Sequence, residues 1–525
     1  MKYSDINDIE KATRVSRREM ARFGFALLFI IAVMLIVDGM HLVEGHNNLL
    51  LVVAAMIGGY MALNIGANDV ANNVGPAVGA RAITLTGAII IAAIFESAGA
   101  IIAGGEVVTT IKNGIIDPKQ ITDVELYIYA MLAALLAAAI WLNLATAMGA
   151  PVSTTHSIVG AVLGAGVAAG GWHIVNWSSM GAIAASWVVS PLLGGLIAAL
   201  FLFWIKRSIT YQTDMVQAAK KMVPILVALM AWSFTTYLAL KGLNKLIKLS
   251  TLEASLIGLV VAVVVYLLVR AAVSNNASSL QNTKDSINGL FTIPLIFAAA
   301  LLSFAHGAND VANAIGPLAA IYDALANNTI STKAGIPLWI MLIGALGISI
   351  GLLLFGPKLI KTVGSEITEL DQIRAFAIAM SAALTVIVAA ELGMPVSSTH
   401  IAVGAVLGVG FLREYLKTNY AQAIQVIREH HDAIDADKTA LDAYMQRFEK
   451  ASFEDKRLML QQLKERAAEI ELSKKERKSL NKIYKKELVK RSIMLKIFAA
   501  WIITVPASAF LAAFIYFAIR GMMAS

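Results

Sequence analysis

The chain has 525 residues, of which 58 % are hydrophobic and only 15 % charged, with a net charge of +8 and no cysteine. Ordinary soluble domains carry about 25 % charged residues, so this much apolar surface excludes a soluble globular protein. The lack of cysteine excludes disulfides, thiolate catalysis and cysteine–zinc sites, and the positive charge is assigned to cytoplasmic loops of a membrane protein rather than to nucleic-acid binding.

A basic stretch with Lys11, Arg14, Arg17, Arg18 and Arg22 precedes the first apolar run, 23–37. The next residues, Asp38, Gly39, Met40 and His41, offer no small-residue cleavage pattern, so this run is expected as a retained helix rather than a signal peptide. Further runs lie at 49–65, 83–104, 126–148, 178–205, 223–240, 252–269, 291–305, 337–355, 373–390 and 493–519. Many approach or exceed the roughly 20 residues that cross a bilayer. Shorter apolar pieces at 157–170 and 401–411 are expected as half-helices. Because backbone in lipid must satisfy its own hydrogen bonds, the expected class is an all-α polytopic membrane protein with about 10–13 transmembrane segments.

Two motifs recur in order. GANDVAN occupies 66–72 and again 307–313, an offset of 307 − 66 = 241; GAPVSTTH at 149–156 is matched by GMPVSSTH at 393–400, with prolines offset by 395 − 151 = 244. The chain therefore reads as two copies of one unit. The basic N-terminus, the loop with Lys206, Arg207, Lys220 and Lys221, and the charged segment after 411 are expected in the cytoplasm; 41–48, without Lys or Arg, is expected outside. On that basis 49–65 runs inward, whereas 291–305, which follows a polar linker with Lys284, runs outward, giving inverted-topology repeats with broken helices and hairpins. Lys241, Lys245 and Lys248 then fall outside, against the usual bias. The expected organisation is a tail and first helix over 1–48, a first transport repeat over 49–205, connecting helices over 206–290 and a second repeat over 291–411. A charged cytoplasmic insert over 412–492 follows, with Leu458, Leu460, Leu463, Ala467 and Ile470 at helical spacing, and then a C-terminal transmembrane helix over 493–525.

A charge at membrane depth is costly and defaults to a functional reading. Asp69 and Asp310 supply hard anionic oxygens, and Asn68, Asn72, Asn309 and Asn313 supply neutral carbonyl oxygens, a set that suits an alkali cation or a proton. Gly66 with Gly75 and Pro76, and Gly307 with Gly316 and Pro317, weaken the helices and are expected to expose carbonyls. Helix capping by Asn68 or Asp69 is the plain alternative, which the duplication disfavours. In the second motif, a proline at the first helical turn starts a fresh half-helix, whose unpaired N–H groups favour an anion. Ser153, Thr154 and Thr155, and Ser397, Ser398 and Thr399, add hydroxyl donors, so two such cups can envelop a tetrahedral oxyanion. His156 and His400 are expected as hydrogen-bonded structural residues. Glu96 stands alone in an apolar helix: aligning Gly99 with Gly351 and Gly104 with Gly356 puts Ile348 opposite it. Glu391, matched by Ala147, is a weaker candidate, and Arg81 and Lys358 follow proline-containing turns as interfacial anchors.

In these paired motifs the chain resembles the inorganic phosphate transporter family of phosphate permeases, over roughly 49–205 and 291–411. The resemblance implies an inverted repeat with broken hairpins in a lipid bilayer, commonly a homodimer. It implies phosphate carried across the cytoplasmic (inner) membrane by symport with sodium or protons, and neither an enzyme nor a resident cofactor. Asp69 and Asp310 with their asparagines match cation-coordinating positions, the hydroxyl runs after Pro151 and Pro395 match phosphate-binding hairpins, and Glu96 matches a glutamate implicated in transport in eukaryotic relatives. Those relatives carry a second glutamate where this chain has Ala379, which leaves the coupling ion open. The residues alone also fit a symporter of sulfate or another tetrahedral oxyanion, a cation channel, or an intramembrane hydrolase using Ser153 and His156, although no G-x-S-x-G elbow is present.

Overall fold

The computed structural model describes residues 3–433 and 491–523, apart from 118–119, 122, 149, 151, 246, 277–279, 331–334 and 366–369. The helices in chain order are α1 (Tyr3–Met40), α2 (His46–Asn68), α3 (Val70–Gly79), α4 (Leu85–Ala103), α5 (Gly105–Asn113), α6 (Val124–Ala147), α7 (Thr154–Gly170) and α8 (Trp177–Ile205). They continue as α9 (Met215–Lys241), α10 (Thr251–Asn276), α11 (Lys284–Gly289), α12 (Thr292–Asn327), α13 (Leu338–Ser365), α14 (Gln372–Glu391), α15 (Ser398–Ala433) and α16 (Arg491–Met523). Among the described residues the only extended pairing is one antiparallel bridge, Ile116 with Val175. Among the described residues eleven helices are long and apolar enough to cross a membrane, so the protein is a multi-pass membrane protein of all-α class. The basic N-terminal stretch is the start of α1, whose Phe29 and Ile30 pack over Gly59 of α2.

The two copies pack on each other through matched glycines. A Cβ on Gly66 would collide with the carbonyl oxygen of Ile348, and one on Gly307 with that of Glu96; Gly351 meets Leu63 and Gly99 meets Phe304 in the same way. These contacts cross α2 with α13 and α4 with α12. The partners are related by the sequence offsets: 307 − 66 and 304 − 63 both equal 241, and 348 − 96 and 351 − 99 both equal 252. Bare backbones at these crossings are what small residues permit in a membrane, where close packing replaces the hydrophobic effect between helices. Ser97 and Ser349, mates under the same offset, hydrogen-bond to each other at 2.8 Å, and each reaches a mated main-chain carbonyl, Ala345 and Ala93. A pair of equivalent residues in mutual contact marks a pseudo-two-fold axis.

Two helical hairpins, α6–α7 and α14–α15, converge on this axis. Each hairpin's returning helix is held by a partner: Gly160 and Gly164 of α7 lie against the backbone of Val505 and Ala509 in α16, and Gly404 and Gly408 of α15 against Pro191 and Gly195 in α8. The half-helix expected at 157–170 is α7, 17 residues long, but the one expected at 401–411 is the start of α15, which runs on to Ala433. Beyond that point the expected amphipathic helices of the charged insert lie outside the described residues from 434 to 490. The helix breaks also differ from expectation. In the first copy α2 and α3 are separated at Asp69 alone, neither at Gly66 nor at Gly75; in the second copy α12 runs without a break through Asp310. Pro76 and Pro317 both lie inside helices, and so does Pro357, which is therefore no turn.

Candidate functional site

The α2–α3 junction barely deflects: Asp69 keeps φ −87° and ψ −34°, and its N–H still donates to the Ile65 carbonyl at 2.9 Å. The more useful disturbance comes one turn later. Pro76 and Pro317 have no N–H to give to the carbonyls of Asn72 and Asn313 four residues back, so each GANDVAN copy ends in a main-chain oxygen relieved of its helical partner. Asn68, Asp69, Asn72, Asn309, Asp310 and Asn313 are all essentially inaccessible to solvent.

The hairpin tips meet these segments. Ser153 and Ser397 are the N-caps of α7 and α15, each accepting from a main-chain N–H three residues on, His156 and His400, both at 3.1 Å. This is the capping geometry that short polar residues supply at helix starts; it uses the oxygen and leaves the hydroxyl proton to donate. The next residues address the carboxylates. Thr154 donates to Asp69 Oδ2 at 2.7 Å and its mate Ser398 to Asp310 Oδ2 at 2.9 Å; Thr399 donates to Asp69 Oδ1 at 3.0 Å. The asparagines stitch the two copies together: Asn72 Nδ2 donates to Thr399 at 2.8 Å, and Asn313 Nδ2 to Thr154 at 3.0 Å and Thr155 at 3.2 Å. Asn309 Nδ2 and Thr155 both donate to the Val396 carbonyl, and Asn68 Nδ2 donates to Thr146 and the Ala150 carbonyl. The residues expected to hold an anion and those expected to hold a cation thus form one cluster.

Each asparagine spends its NH2 group in these bonds. The carboxamide oxygens of Asn68, Asn72, Asn309 and Asn313 are buried without a hydrogen-bond donor. A buried acceptor left unsatisfied costs about 1–3 kcal/mol, so these four, with the Asn73 oxygen unpaired in the same way beside the carboxylates, describe a surface built for something positive. The Asp69 and Asp310 carboxylates and the His306 ring offer ligand atoms that all lie within 4.8 Å of one another.

Glu96 is in the cluster as well. Its Oε1 accepts from Asn73 Nδ2 at 2.7 Å, and its Oε2 is 2.6 Å from His306 Nδ1. On the far side of the ring, His306 Nε2 stands 2.8 Å from Asp310 Oδ2, close but without hydrogen-bond alignment. His306 thus links the unpaired glutamate to the second aspartate. The motifs do not single it out, although the sequence carries a signal. His306 lies one turn before Asp310, and its mate under the 241 offset is Ile65, so it breaks the repeat as Glu96 does. Asn73, whose mate is Ala314, is the third such residue. The site therefore has Glu96, His306 and Asn73 on one side of the axis and Ile348, Ile65 and Ala314 on the other, all buried. With three carboxylates against one imidazole, the cluster carries excess negative charge when its acids are ionised, and a cation relieves it.

The remaining candidates fall elsewhere. The rings of His156 and His400 pack among aromatic neighbours: they meet edge to face at 4.2 Å between centroids, with His156 against Trp187 at 3.9 Å and His400 stacked on Trp501 at 3.6 Å. Ser153 and His156 form no nucleophile–base contact, since the serine oxygen accepts only from the histidine main chain and neither ring nitrogen of His156 meets a hydroxyl. Glu391 is outside the cluster, in an ion pair with Lys241. Arg81 sits in the turn after α3 with φ 58°, and the side chain of Lys358 lies outside the described residues.

Comparison with known proteins identifies the family. Residues 65–512 match the family described as "Phosphate transporter family". A protein of Helicobacter pylori described as "Putative phosphate permease" is 53 % identical over 99 % of both chains. A protein of Pyrococcus abyssi, also described as "Putative phosphate permease", is 41 % identical over 69 % of this chain and 89 % of its own. A solved structure described as "The sodium-dependent phosphate transporter" superposes with a TM-score of 0.72 at 32 % identity, covering 90 % of this chain and 99 % of that one.

Proposed function

The chain belongs to the phosphate transporter family, and from that premise we propose that it imports inorganic phosphate across the cytoplasmic membrane in symport with sodium. It is a permease rather than an enzyme, so the chemistry to explain is the binding and release of ions. One cation is held by Asp69 with the oxygens of Asn68 and Asn72, the other by Asp310 with those of Asn309 and Asn313. The observation that carries this reading is the set of four buried carboxamide oxygens without donors. A proton would engage a single carboxylate oxygen and none of these. A sodium ion takes several neutral and anionic oxygens at once, as hard cations do. The similar solved structure is that of a sodium-dependent transporter, which supports the same choice.

Coupling follows from which groups occupy which. The hydroxyls of Thr154, Ser398 and Thr399 donate to the two aspartates. A cation seated on an aspartate takes over that neutralisation, and the hydroxyls are freed to turn toward phosphate. Together with Ser153, Thr155, Ser397 and the first N–H groups of α7 and α15, they form donors for an oxyanion. Cation binding therefore precedes phosphate binding. The charge balance points the same way, because an inside-negative potential opposes an entering anion by about 2.3 kcal/mol per charge per 100 mV and two cations offset a phosphate dianion.

The test is phosphate uptake into proteoliposomes under a sodium gradient alone and a proton gradient alone. Uptake driven by sodium and indifferent to protons is expected. Uptake driven only by protons would replace sodium in this account, and uptake of sulfate in place of phosphate would remove the substrate.

A further inference from the structure

Lys241 ends α9 on the side that the Lys and Arg distribution places outside, where lysines are disfavoured, and its side chain is only 9 % exposed. Its Nζ is 3.3 Å from Glu106 Oε1 and 3.2 Å from Glu391 Oε2. Glu106 lies in the first turn of α5, where a carboxylate also complements the helix dipole. Glu391 is the last residue of α14, at the foot of the tip that leads to Ser397, Ser398 and Thr399. The same α5 reaches the tip a second time: Thr110 Oγ1 donates at 2.7 Å to the carbonyl of Gly393, which turns the chain with φ +64°. Deeper in, the tip's Pro395 and Val396 carbonyls accept from Trp187 and Thr155. All of these donors except Lys241 come from the first copy, so the second hairpin is seated on the opposite half of the molecule.

We propose that Lys241 is a positioning residue for the second hairpin, clamping Glu391 to Glu106 so that the tip closes the ion cluster from the outer face. With Thr110 on Gly393 the clamp has two points, one ionic at the rim and one main-chain at the turn. Its release lets the tip swing away from α5 and opens Asp310 and Ser398 to the outside. The clamp also accounts for two residues that ion binding leaves idle, a lysine against the topological bias and a glutamate near a motif but outside the cluster. The inference rests on the phosphate reading for what the hairpin holds, and on the ion pairs for how it is held.

Because the chain has no cysteine, a single reporter serves. Met394→Cys in the tip is treated with a membrane-impermeant maleimide, added to the outer face of oriented vesicles. Labelling should quicken about fivefold when Lys241→Met is added, the change in an open population that losing one such contact produces. Glu391→Gln should give a smaller increase in the same direction, and Lys241→Arg should return the rate toward that of the parent. Lys248→Met, which removes an exposed charge on the same loop, should change nothing. In uptake, Lys241→Met should raise the KM for external phosphate more than it lowers kcat. Labelling that is unchanged in both Lys241→Met and Glu391→Gln, equally quickened by Lys248→Met, or confined to the opposite face overturns the proposal. If labelling responds as expected while the parent takes up no phosphate, the clamp stands and the phosphate reading falls.

Discussion

Removing His306 should expose how the asymmetric side of the cluster is balanced. Its ring is fully buried between Glu96 and Asp310, at 2.6 Å and 2.8 Å. His306→Ala leaves Glu96 with Asn73 as its remaining partner, and leaving one charge of a buried pair uncompensated costs about 3–5 kcal/mol. The molecule also contains the apolar solution to the same space, because Ile65, Ile348 and Ala314 occupy the mated positions. The triple variant Glu96→Ile, His306→Ile, Asn73→Ala copies that solution. Replacing a buried ion pair with well-packed apolar residues is neutral or stabilising by about 1–4 kcal/mol, and Asp310 keeps Ser398 and Asn309 as donors. Thermal unfolding of purified protein in detergent should therefore show a large loss for the single variant and recovery for the triple, while concentrative phosphate uptake is lost in both. A single variant that melts like the parent would refute the balance described here. A triple variant that still concentrates phosphate would show that Glu96 and His306 serve only packing.

The hairpin serines separate capping from substrate binding. Ser153→Gly and Ser397→Gly keep most of the cap, since glycine at that position costs only a few tenths of a kcal/mol, yet remove a donor to a charged oxygen, so the half-saturating phosphate concentration should rise about 10–150-fold; normal uptake by both variants would make the serines caps alone. Gly351→Ala forces a methyl into the Leu63 carbonyl and should destabilise the fold by at least about 1–3 kcal/mol in a melt, whereas Gly181→Ala, with open space around it, should be neutral or slightly stabilising. Excess arsenate, with the geometry of phosphate, should suppress phosphate uptake and excess sulfate should not; equal competition by sulfate would reject phosphate as the preferred anion.

Much of this architecture was legible because duplication writes the same chemistry twice. The paired GANDVAN and PVS motifs showed two copies of one unit, and Lys and Arg placement implied their opposite directions. Glu96 was legible through its mate, since a carboxylate whose equivalent in the other copy is Ile348 cannot be a repeat-wide packing residue. What stayed hidden depends on contacts between copies. The donation from Thr399 to Asp69 spans 330 residues, and no local pattern announces it. His306 reads as flank until its ring is seen between two acids. The unbroken α12 was also hidden, because Pro317 only relieves the Asn313 carbonyl and the helix runs on through it, packed on α4 and α14. The C-terminal helix, expected over 493–525 as an element apart from both repeats, packs on α7 as α8 packs on α15, a pairing that composition alone does not announce.

The central claim is that Asp69 and Asp310 sit at membrane depth because phosphate must be accompanied by cations. Asp69→Asn and Asp310→Asn keep the shape of each site and remove its charge. Accumulation of phosphate against an imposed gradient, measured in proteoliposomes of each variant across a range of sodium concentrations, tests this most directly. Each variant should fail to concentrate phosphate, while purified protein still binds it, weakened, at high sodium. If both variants concentrate phosphate with the sodium dependence of the parent, the carboxylates do not couple the two ions and the account is contradicted.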